Sequence, residues 1–169
     1  METKISNFIK YLLKSYPYKS ELSASRLTKM LYLADWKSAI EESKLLTDAK
    51  WHFNHYGPYV DDFIKIAKDD NDIKVFSTQT MFGGHKQQIE LRSDFNKDIE
   101  LEDNEKKILD FVIESTKSKN YQDFIKLVYS TYPIVSSSRY NDLDLVKMAQ
   151  EYKEISEKSS NKTLYRTSR

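Results

Sequence analysis

The chain has 169 residues, a length typical of a single domain. Its 27 basic and 26 acidic residues give a net charge of +1, which argues against a strongly basic nucleic-acid-binding protein and against an acidic disordered segment. The sequence has no cysteine, which excludes disulfides, cysteine-ligated zinc, iron–sulfur clusters and thiol catalysis.

The sequence predicts a soluble protein of the cytoplasm. No apolar run approaches the roughly 18 residues that a membrane span requires, and residues 1–7 lack the apolar stretch of a secretory signal. The chain contains three glycines, at 57, 83 and 84. Phosphate-binding loops need clustered glycines close to the phosphates, so no nucleotide-binding loop is predicted.

The predicted elements begin with two helices. Apolar residues recur at helical spacing from Ile5 to Tyr16 and predict an amphipathic helix over about 3–16, which Pro17 ends. A second helix is predicted from about Ser23 to Glu42, where apolar residues cover more than half of the helix surface. A helix of this kind is typically central, so we expect it to lie at the centre of the domain.

A short strand and a hairpin follow in the middle of the chain. Alternation of aromatic residues predicts a strand over 51–55, and Gly57 is predicted to form a sharp turn. Pro58, suited to the first helical position, would then open a helix to about Lys68. Residues 73–77 and 88–91 predict two strands joined through 81–85. The sheet would have two strands, or three if 51–55 joins it.

Helices resume in the last third. Asp103 is predicted to cap one helix, residues 121–131 to form the next until Pro133 ends it, and residues 143–155 to form the last. The predicted fold class is therefore mainly α (α+β). It is a single compact domain of about six helices, residues 1–156, with a small antiparallel sheet and a polar, basic C-terminal tail, residues 157–169.

No constellation of residues predicts catalysis, a metal or a cofactor. The serines lack the strained Gly-x-Ser-x-Gly turn of a hydrolase nucleophile, and adjacent carboxylates such as Asp61 and Asp62 do not share a helix face. His52 and His55, with Asp35 or Asp48, would be candidates for a metal site. In a strand, however, residues three apart point to opposite faces, so no metal site is predicted.

A dense group of aromatic residues over 32–59 has two interpretations. Large aromatic side chains are usually buried, so the group would pack the central helix against the turn. Tyrosine and tryptophan also anchor protein interfaces, so part of it, with charged residues at its rim, would form a partner-binding patch. The candidate partner-binding residues are Tyr32, Asp35, Trp36, Lys37, Trp51, His55 and Tyr59.

Two sequence blocks in this region carry a family resemblance. The segment 27–36, Leu-Thr-Lys-Met-Leu-Tyr-Leu-Ala-Asp-Trp, is followed about twenty residues later by Tyr-Gly-Pro-Tyr-Val at 56–60. Together they resemble the SocA-like Panacea domain, a family that also includes phage-associated, GepA-like proteins. The order of elements agrees through about Tyr152. The matching motif residues, interpreted as structural, are Lys29, Leu31, Tyr56, Gly57 and Pro58.

The resemblance implies a mostly helical domain with a small sheet and no catalysis. It implies an antitoxin-like protein of a toxin–antitoxin module, encoded in prophages or mobile elements, that neutralises a co-encoded toxin by direct binding. One alternative is a proteolytic adaptor that delivers a toxin to an AAA+ protease, with the tail 159–169 contacting the protease. Another is a phage-borne regulator that binds DNA through 136–140 and the tail, against which the near-neutral charge argues.

Overall fold

The structure, a computed structural model, describes the backbone of residues 2–167 and the side chains of residues 3–160. Within these residues it contains seven α-helices and five β-strands. The helices are α1 Glu2–Ser15, α2 Ala24–Glu42, α3 Asp62–Asp69, α4 Asp103–Thr116, α5 Tyr121–Tyr129, α6 Tyr132–Ser136 and α7 Leu145–Thr167. The strands are β1 Trp51–Asn54, β2 Gly57–Tyr59, β3 Ile73–Gln79, β4 His85–Leu91 and β5 Asp142–Leu143. The prediction of a compact, mainly helical α+β fold is confirmed.

Helix α2 lies at the centre of the fold, as its apolar surface predicts. It packs against α3, α4, α5 and α7 and against strands β2 and β4. Leu27, Met30 and Leu31 are completely buried. Its N-terminus is capped by Ser23, whose Oγ accepts a hydrogen bond from the backbone N–H of Arg26 at 3.1 Å.

A three-stranded antiparallel sheet of order β2-β1-β5 packs beside α2. Gly57 and Pro58 belong to β2, with Pro58 opposite Phe53, and α3 begins only at Asp62. The prediction that Pro58 opens a helix is therefore wrong. Proline is tolerated here because β2 is an edge strand, where a missing N–H breaks no inner ladder.

Strands β3 and β4 form the predicted hairpin, which is longer than expected. Their pairing runs from Ile73 opposite Leu91 to Gln79 opposite His85. The hairpin is a separate two-stranded sheet, so the strand at 51–55 does not join it. At its base Ile73 and Ile89 are buried, which attaches the hairpin to the helices and supports a sheet too small to be stable alone.

Two helix boundaries in the last third differ from prediction. Helix α4 is capped by Glu102 rather than Asp103, and Glu105 accepts a hydrogen bond from the Glu102 backbone N–H at 2.9 Å. Pro133 lies in the first turn of the short helix α6. A proline there lacks only an N–H that would have no partner within the helix. Helix α5 has already ended at Tyr129, so Pro133 belongs to the first turn of α6 instead of ending α5.

The last helix extends beyond the predicted end at Ile155. Leu145 and Ala149 anchor the start of α7 in the core, and lysines and glutamates, which are good helix formers, continue it. Part of the predicted tail lies outside the described residues, namely the side chains of 161–169 and the backbone of 168–169. Within the described part, no helix combines the length and the apolar character needed to cross a membrane.

Candidate functional site

Asp35 is a buried anchor rather than a rim residue. Its carboxylate accepts hydrogen bonds from the Thr47 backbone N–H and from the Trp51 Nε1, each at 2.9 Å, and from the Thr47 hydroxyl. Burial raises the pKa of Asp35 above its ordinary value, and these hydrogen bonds act in the opposite direction. Asp35 therefore fixes the loop after α2 and the start of β1 to the central helix.

Three aromatic candidates are also packed inside the fold. The rings of Tyr32 and Trp51 meet edge to face at 5.5 Å, and the Tyr32 hydroxyl is hydrogen-bonded to Thr131 Oγ1 at 2.7 Å. Trp36 stacks on Tyr132 and meets Tyr152 edge to face. With Asp35, four of the seven candidate partner-binding residues are thus buried. For these four, the structure matches the packing interpretation of the aromatic group.

The other three candidates reach the surface from two different elements. Lys37 lies on α2, where it pairs with Glu41 at 2.6 Å and lies over the ring of Phe111. His55 and Tyr59 belong to the β1–β2 hairpin. The exposed part of the predicted patch is therefore centred on this hairpin.

The outward face of the three-stranded sheet carries a row of polar and aromatic side chains. Because side chains alternate along a strand, Trp51 and Phe53 point into the core and His52 points outward. His52 lies between Tyr59 of β2 and Asp142 of β5. Its Nδ1 is 2.9 Å from an Asp142 carboxylate oxygen, which orients the imidazole on this face.

The turn between β1 and β2 adds further aromatic surface. The rings of His55 and Tyr56 meet edge to face at 4.6 Å, and the Tyr140 hydroxyl lies 3.5 Å from His55 Nδ1. Arg139 Nε donates to the His55 carbonyl at 3.3 Å. Tyr56 is 77% exposed and Tyr140 63%. We call the group His52, His55, Tyr56, Tyr59 and Tyr140 the sheet surface.

Sequence reasoning did not place His52, Tyr56 or Tyr140 among the candidate partner-binding residues. Tyr56 was interpreted as a structural motif residue, but its side chain is 77% exposed. Tyr140 comes to the hairpin because β5 pairs with β1. A two-residue strand leaves no periodic signal in the sequence. Tyr140 itself has a φ of +73°, a backbone conformation that tyrosine rarely adopts.

The two motif blocks meet beneath the sheet surface. A Cβ added to Gly57, whose φ is +104°, would lie 3.3 Å from Tyr129 Cε2 and 3.6 Å from Lys29 Cε. Glycine is favoured here by the positive φ, and a Cβ would also require the Tyr129 ring to shift by a few tenths of an ångström. Leu31, the other motif residue of α2, is completely buried.

The side chain of Lys29 is buried, and its amine makes one hydrogen bond within the described part of the structure. The residue is 3% exposed, and its Nζ donates to Ser25 Oγ at 3.0 Å. Ser25 Oγ in turn lies 3.2 Å from the Tyr121 hydroxyl. Burial lowers the pKa of the Lys29 amine to about 8, because removing water disfavours the charged form.

A groove of about 630 Å³ lies between α1 and α3, lined by residues that include Lys10, Asp62, Asp69 and Asp70. Lys10 pairs with Asp70 at 3.0 Å and with Asp72 at 3.2 Å, and the Ser6 hydroxyl donates to Asp70. These contacts join α1 to the connection after α3. Among the described residues, no group of three or more histidine, aspartate or glutamate side chains is arranged to hold a metal ion.

Comparison with known families gives one match. Residues 27–133 match the family described as antitoxin SocA-like, Panacea domain. The matched range covers more than half of the chain and contains both motif blocks. It ends before Tyr152, the residue through which the order of elements resembles that of the family. No curated protein and no solved structure matches the chain.

Proposed function

The chain belongs to the SocA-like Panacea family of antitoxin-like proteins, and we propose that it neutralises a co-encoded protein toxin by binding it directly. The family match over residues 27–133 carries this proposal, because it includes α2 and the β1–β2 hairpin. In this proposal the protein acts in the cytoplasm as a binder and not as an enzyme. It would form one half of a toxin–antitoxin module of a phage or another mobile element.

The sheet surface is the contact that we propose for the toxin. Tyrosine side chains combine a large apolar ring with a polar tip and have few rotatable bonds, so they bind at a low cost in conformational entropy. The contacts of His55 with Tyr56 and Tyr140 hold these rings in place before a partner arrives. Preorganisation of this kind favours affinity, since fewer side chains must be ordered on binding.

The proposal is tested by purifying the tagged chain from the organism that encodes it and identifying what co-purifies by mass spectrometry. The expected partner is a protein present at about one copy per chain that stops growth when expressed alone. The double variant Tyr56→Ser/Tyr140→Ser is expected to fold normally, because both side chains are exposed, and to lose the partner. A matched control is Tyr18→Ser, which removes a 53% exposed tyrosine elsewhere.

Other outcomes would change the proposal in defined ways. Co-purification of an AAA+ protease, lost on deletion of residues 159–169, would favour the proteolytic adaptor. Binding of duplex DNA with a steep salt dependence would favour a DNA-binding regulator. Retention of the toxin by the Tyr56→Ser/Tyr140→Ser variant would keep the antitoxin function and reject the sheet surface as its contact.

A further inference from the structure

The β3–β4 hairpin has one covered edge and one open edge. The outer edge of β4 is paired with the segment before α2, where the Ile89 N–H donates to the Leu22 carbonyl at 3.3 Å and Ser23 forms an antiparallel bridge with Gln88. Strand β3 pairs only with β4, because the two form a separate two-stranded sheet. The outer edge of β3 therefore has no strand beside it in the part of the chain that the structure describes.

The register of the hairpin shows which backbone groups of β3 face outward. The Arg92 N–H donates to the Asp72 carbonyl at 2.9 Å, and the Thr80 N–H donates to the Gly84 carbonyl at 2.7 Å. Hydrogen-bonded and non-hydrogen-bonded residues alternate along an antiparallel pair, so the even-numbered residues of β3 bond to β4. The odd-numbered residues that follow Ile73 direct their N–H and C=O groups away from β4, and we call these residues the open edge: Val75, Ser77 and Gln79.

The backbone groups of the open edge have no hydrogen-bond partner among the described residues. Natural edge strands are usually protected by a proline, a β-bulge, a very short length or charged side chains. Strand β3 has seven residues and no proline, and its pairing with β4 runs without a bulge. Its one charged residue, Lys74, pairs with Glu90 of β4 at 3.9 Å. An unprotected edge of this kind is a template for another strand.

The unpaired groups require an extended backbone as the occupant, and their spacing is self-complementary. When a second copy lies antiparallel with its Ser77 opposite the Ser77 of the first, Val75 of each copy faces Gln79 of the other. Each of these residue pairs exchanges two hydrogen bonds. Every N–H and C=O group of the open edge then has a partner in both copies, which a register shifted by one residue does not achieve.

The side chains and the helices are compatible with the same register. Phe76 lies opposite Thr78 of the other copy, and pairs of an aromatic and a β-branched residue stabilise antiparallel strands. Lys74 lies opposite Thr80, so no like charges face each other. The two hairpins run in opposite directions, and β3 is about 20 Å long. The helices of the two copies therefore lie at opposite ends of the combined sheet.

We propose that the chain forms a twofold-symmetric dimer through the open edge of β3, which joins two hairpins into one four-stranded antiparallel sheet. An interface in which the same surface of each copy meets itself is the usual arrangement in protein dimers. The sheet surface belongs to the other sheet, of order β2-β1-β5, so the dimer does not use it. This inference is independent of the proposed function.

Sedimentation equilibrium of the full chain tests the dimer. The expected mass rises with concentration from 20.0 kDa to twice that value. Ser77→Lys places like charges opposite each other on the twofold axis and should weaken the dimer at least about tenfold. The matched control is Gln87→Lys, which adds the same charge at an exposed position directly across the hairpin from Ser77 and should leave the dimer intact. A chain that stays monomeric throughout the micromolar range would overturn the proposal.

A charge-reversal experiment tests the register. Ser77→Lys and Ser77→Glu are each expected to be monomers with the melting temperature of the unmodified chain in dilute solution, because Ser77 is exposed. Mixing the two variants should restore a dimer, since opposite charges then face each other across the axis. A mixture that associates no more strongly than either variant alone would reject the pairing of Ser77 with Ser77.

Cysteine cross-linking gives a covalent readout, because the chain has no cysteine of its own. The Cα atoms of a hydrogen-bonded pair lie about 5.5 Å apart, within the range that a disulfide spans. Oxidation of Ser77→Cys should therefore give a disulfide-linked dimer, and oxidation of the control Gln87→Cys should not. Equal cross-linking of the two variants, or none, would contradict the dimer.

A strand from a different protein is the competing occupant of the open edge. It would be indicated if the chain alone stays monomeric and the protein captured by the unmodified chain is lost on Ser77→Lys but kept on Gln87→Lys. That outcome would overturn the dimer and assign the open edge to the captured protein. The dimer predicts the reverse, namely self-association of the purified chain in the absence of any other protein.

Discussion

Replacing the buried Lys29 by methionine is expected to stabilise the fold at neutral pH. Burial lowers the pKa of this amine from 10.5 to about 8, so the unfolded chain holds the proton more tightly than the folded chain. Below pH 8 this difference in pKa lowers the free energy of unfolding by about 3 kcal/mol. Methionine has a similar length but loses the hydrogen bond from the charged amine to Ser25, worth about 2 kcal/mol. The net gain at pH 7 is about 1 kcal/mol.

The stability gained by the Lys29→Met substitution should decrease as the pH rises. Between pH 8 and pH 10.5 the unfolded chain still carries the Lys29 proton while the folded chain has lost it. The unfolding free energy that Lys29 contributes therefore rises with pH across this window. The Lys29→Met variant lacks this contribution, so its advantage over the unmodified chain should shrink steadily as the pH rises from 8 to 10.

Urea unfolding at pH 7, 8, 9 and 10 measures this difference directly. Lys107→Met, at an exposed position on α4, serves as the control and should show no such pH-dependent difference from the unmodified chain. The opposite outcome is a Lys29→Met variant that is less stable than the unmodified chain at pH 7, by an amount that does not change with pH. That result would mean that the buried amine is compensated in the folded state and keeps an ordinary pKa.

The remaining predictions concern the contacts that hold the sheet to α2, and each is checked by thermal and urea unfolding. Gly57→Val should destabilise by about 3 kcal/mol, because it adds close contacts with Tyr129 to the cost of a positive φ. Gly83→Val, with a similar φ in open space, should cost about 1 kcal/mol, and equal losses would contradict the packing argument. Asp35→Ala leaves three buried donors unpaired and should cost about 3 kcal/mol or more. Thr47→Val should cost roughly half as much, and an Asp35→Ala variant as stable as the unmodified chain would reject the anchor.

The parts of the fold with a strong periodic signal could be predicted from the sequence. The apolar stripe of α1, the broad apolar surface of α2 and the alternation at 73–77 each correspond to an observed element. The errors fall where tertiary contacts decide. Pro58 is compatible with a helix start and with an edge strand, and only its pairing with Phe53 selects the strand.

The candidate site was predictable only in part, for a similar reason. The density of aromatic residues drew attention to the β1–β2 hairpin, which does carry exposed Tyr56 and Tyr59. A charged residue such as Asp35 is normally at the surface, but three hydrogen-bond donors compensate its burial, and one of them belongs to Trp51, sixteen residues away. No local pattern indicates such a partner. The contact between His55 and Tyr140 spans 85 residues and is likewise a property of the fold.

The division of the chain at residue 156 stays a prediction. Helix α7 passes through this point without interruption, and residues 156–160 are exposed. Deletion of residues 159–169 tests whether the end of the chain is needed. Toxin neutralisation should survive this deletion if the sheet surface makes the contact. Loss of neutralisation with an unchanged melting temperature would assign the contact to the C-terminal segment.

A growth assay with the co-purifying protein tests whether this chain neutralises its partner by direct binding. That protein is expressed in a heterologous host alone, with this chain, or with the Tyr56→Ser/Tyr140→Ser variant, and colonies are counted. We expect growth arrest with the partner alone, recovery with the unmodified chain, and arrest again with the variant. A partner that does not slow growth, or recovery in which the two proteins form no complex, would contradict this expectation.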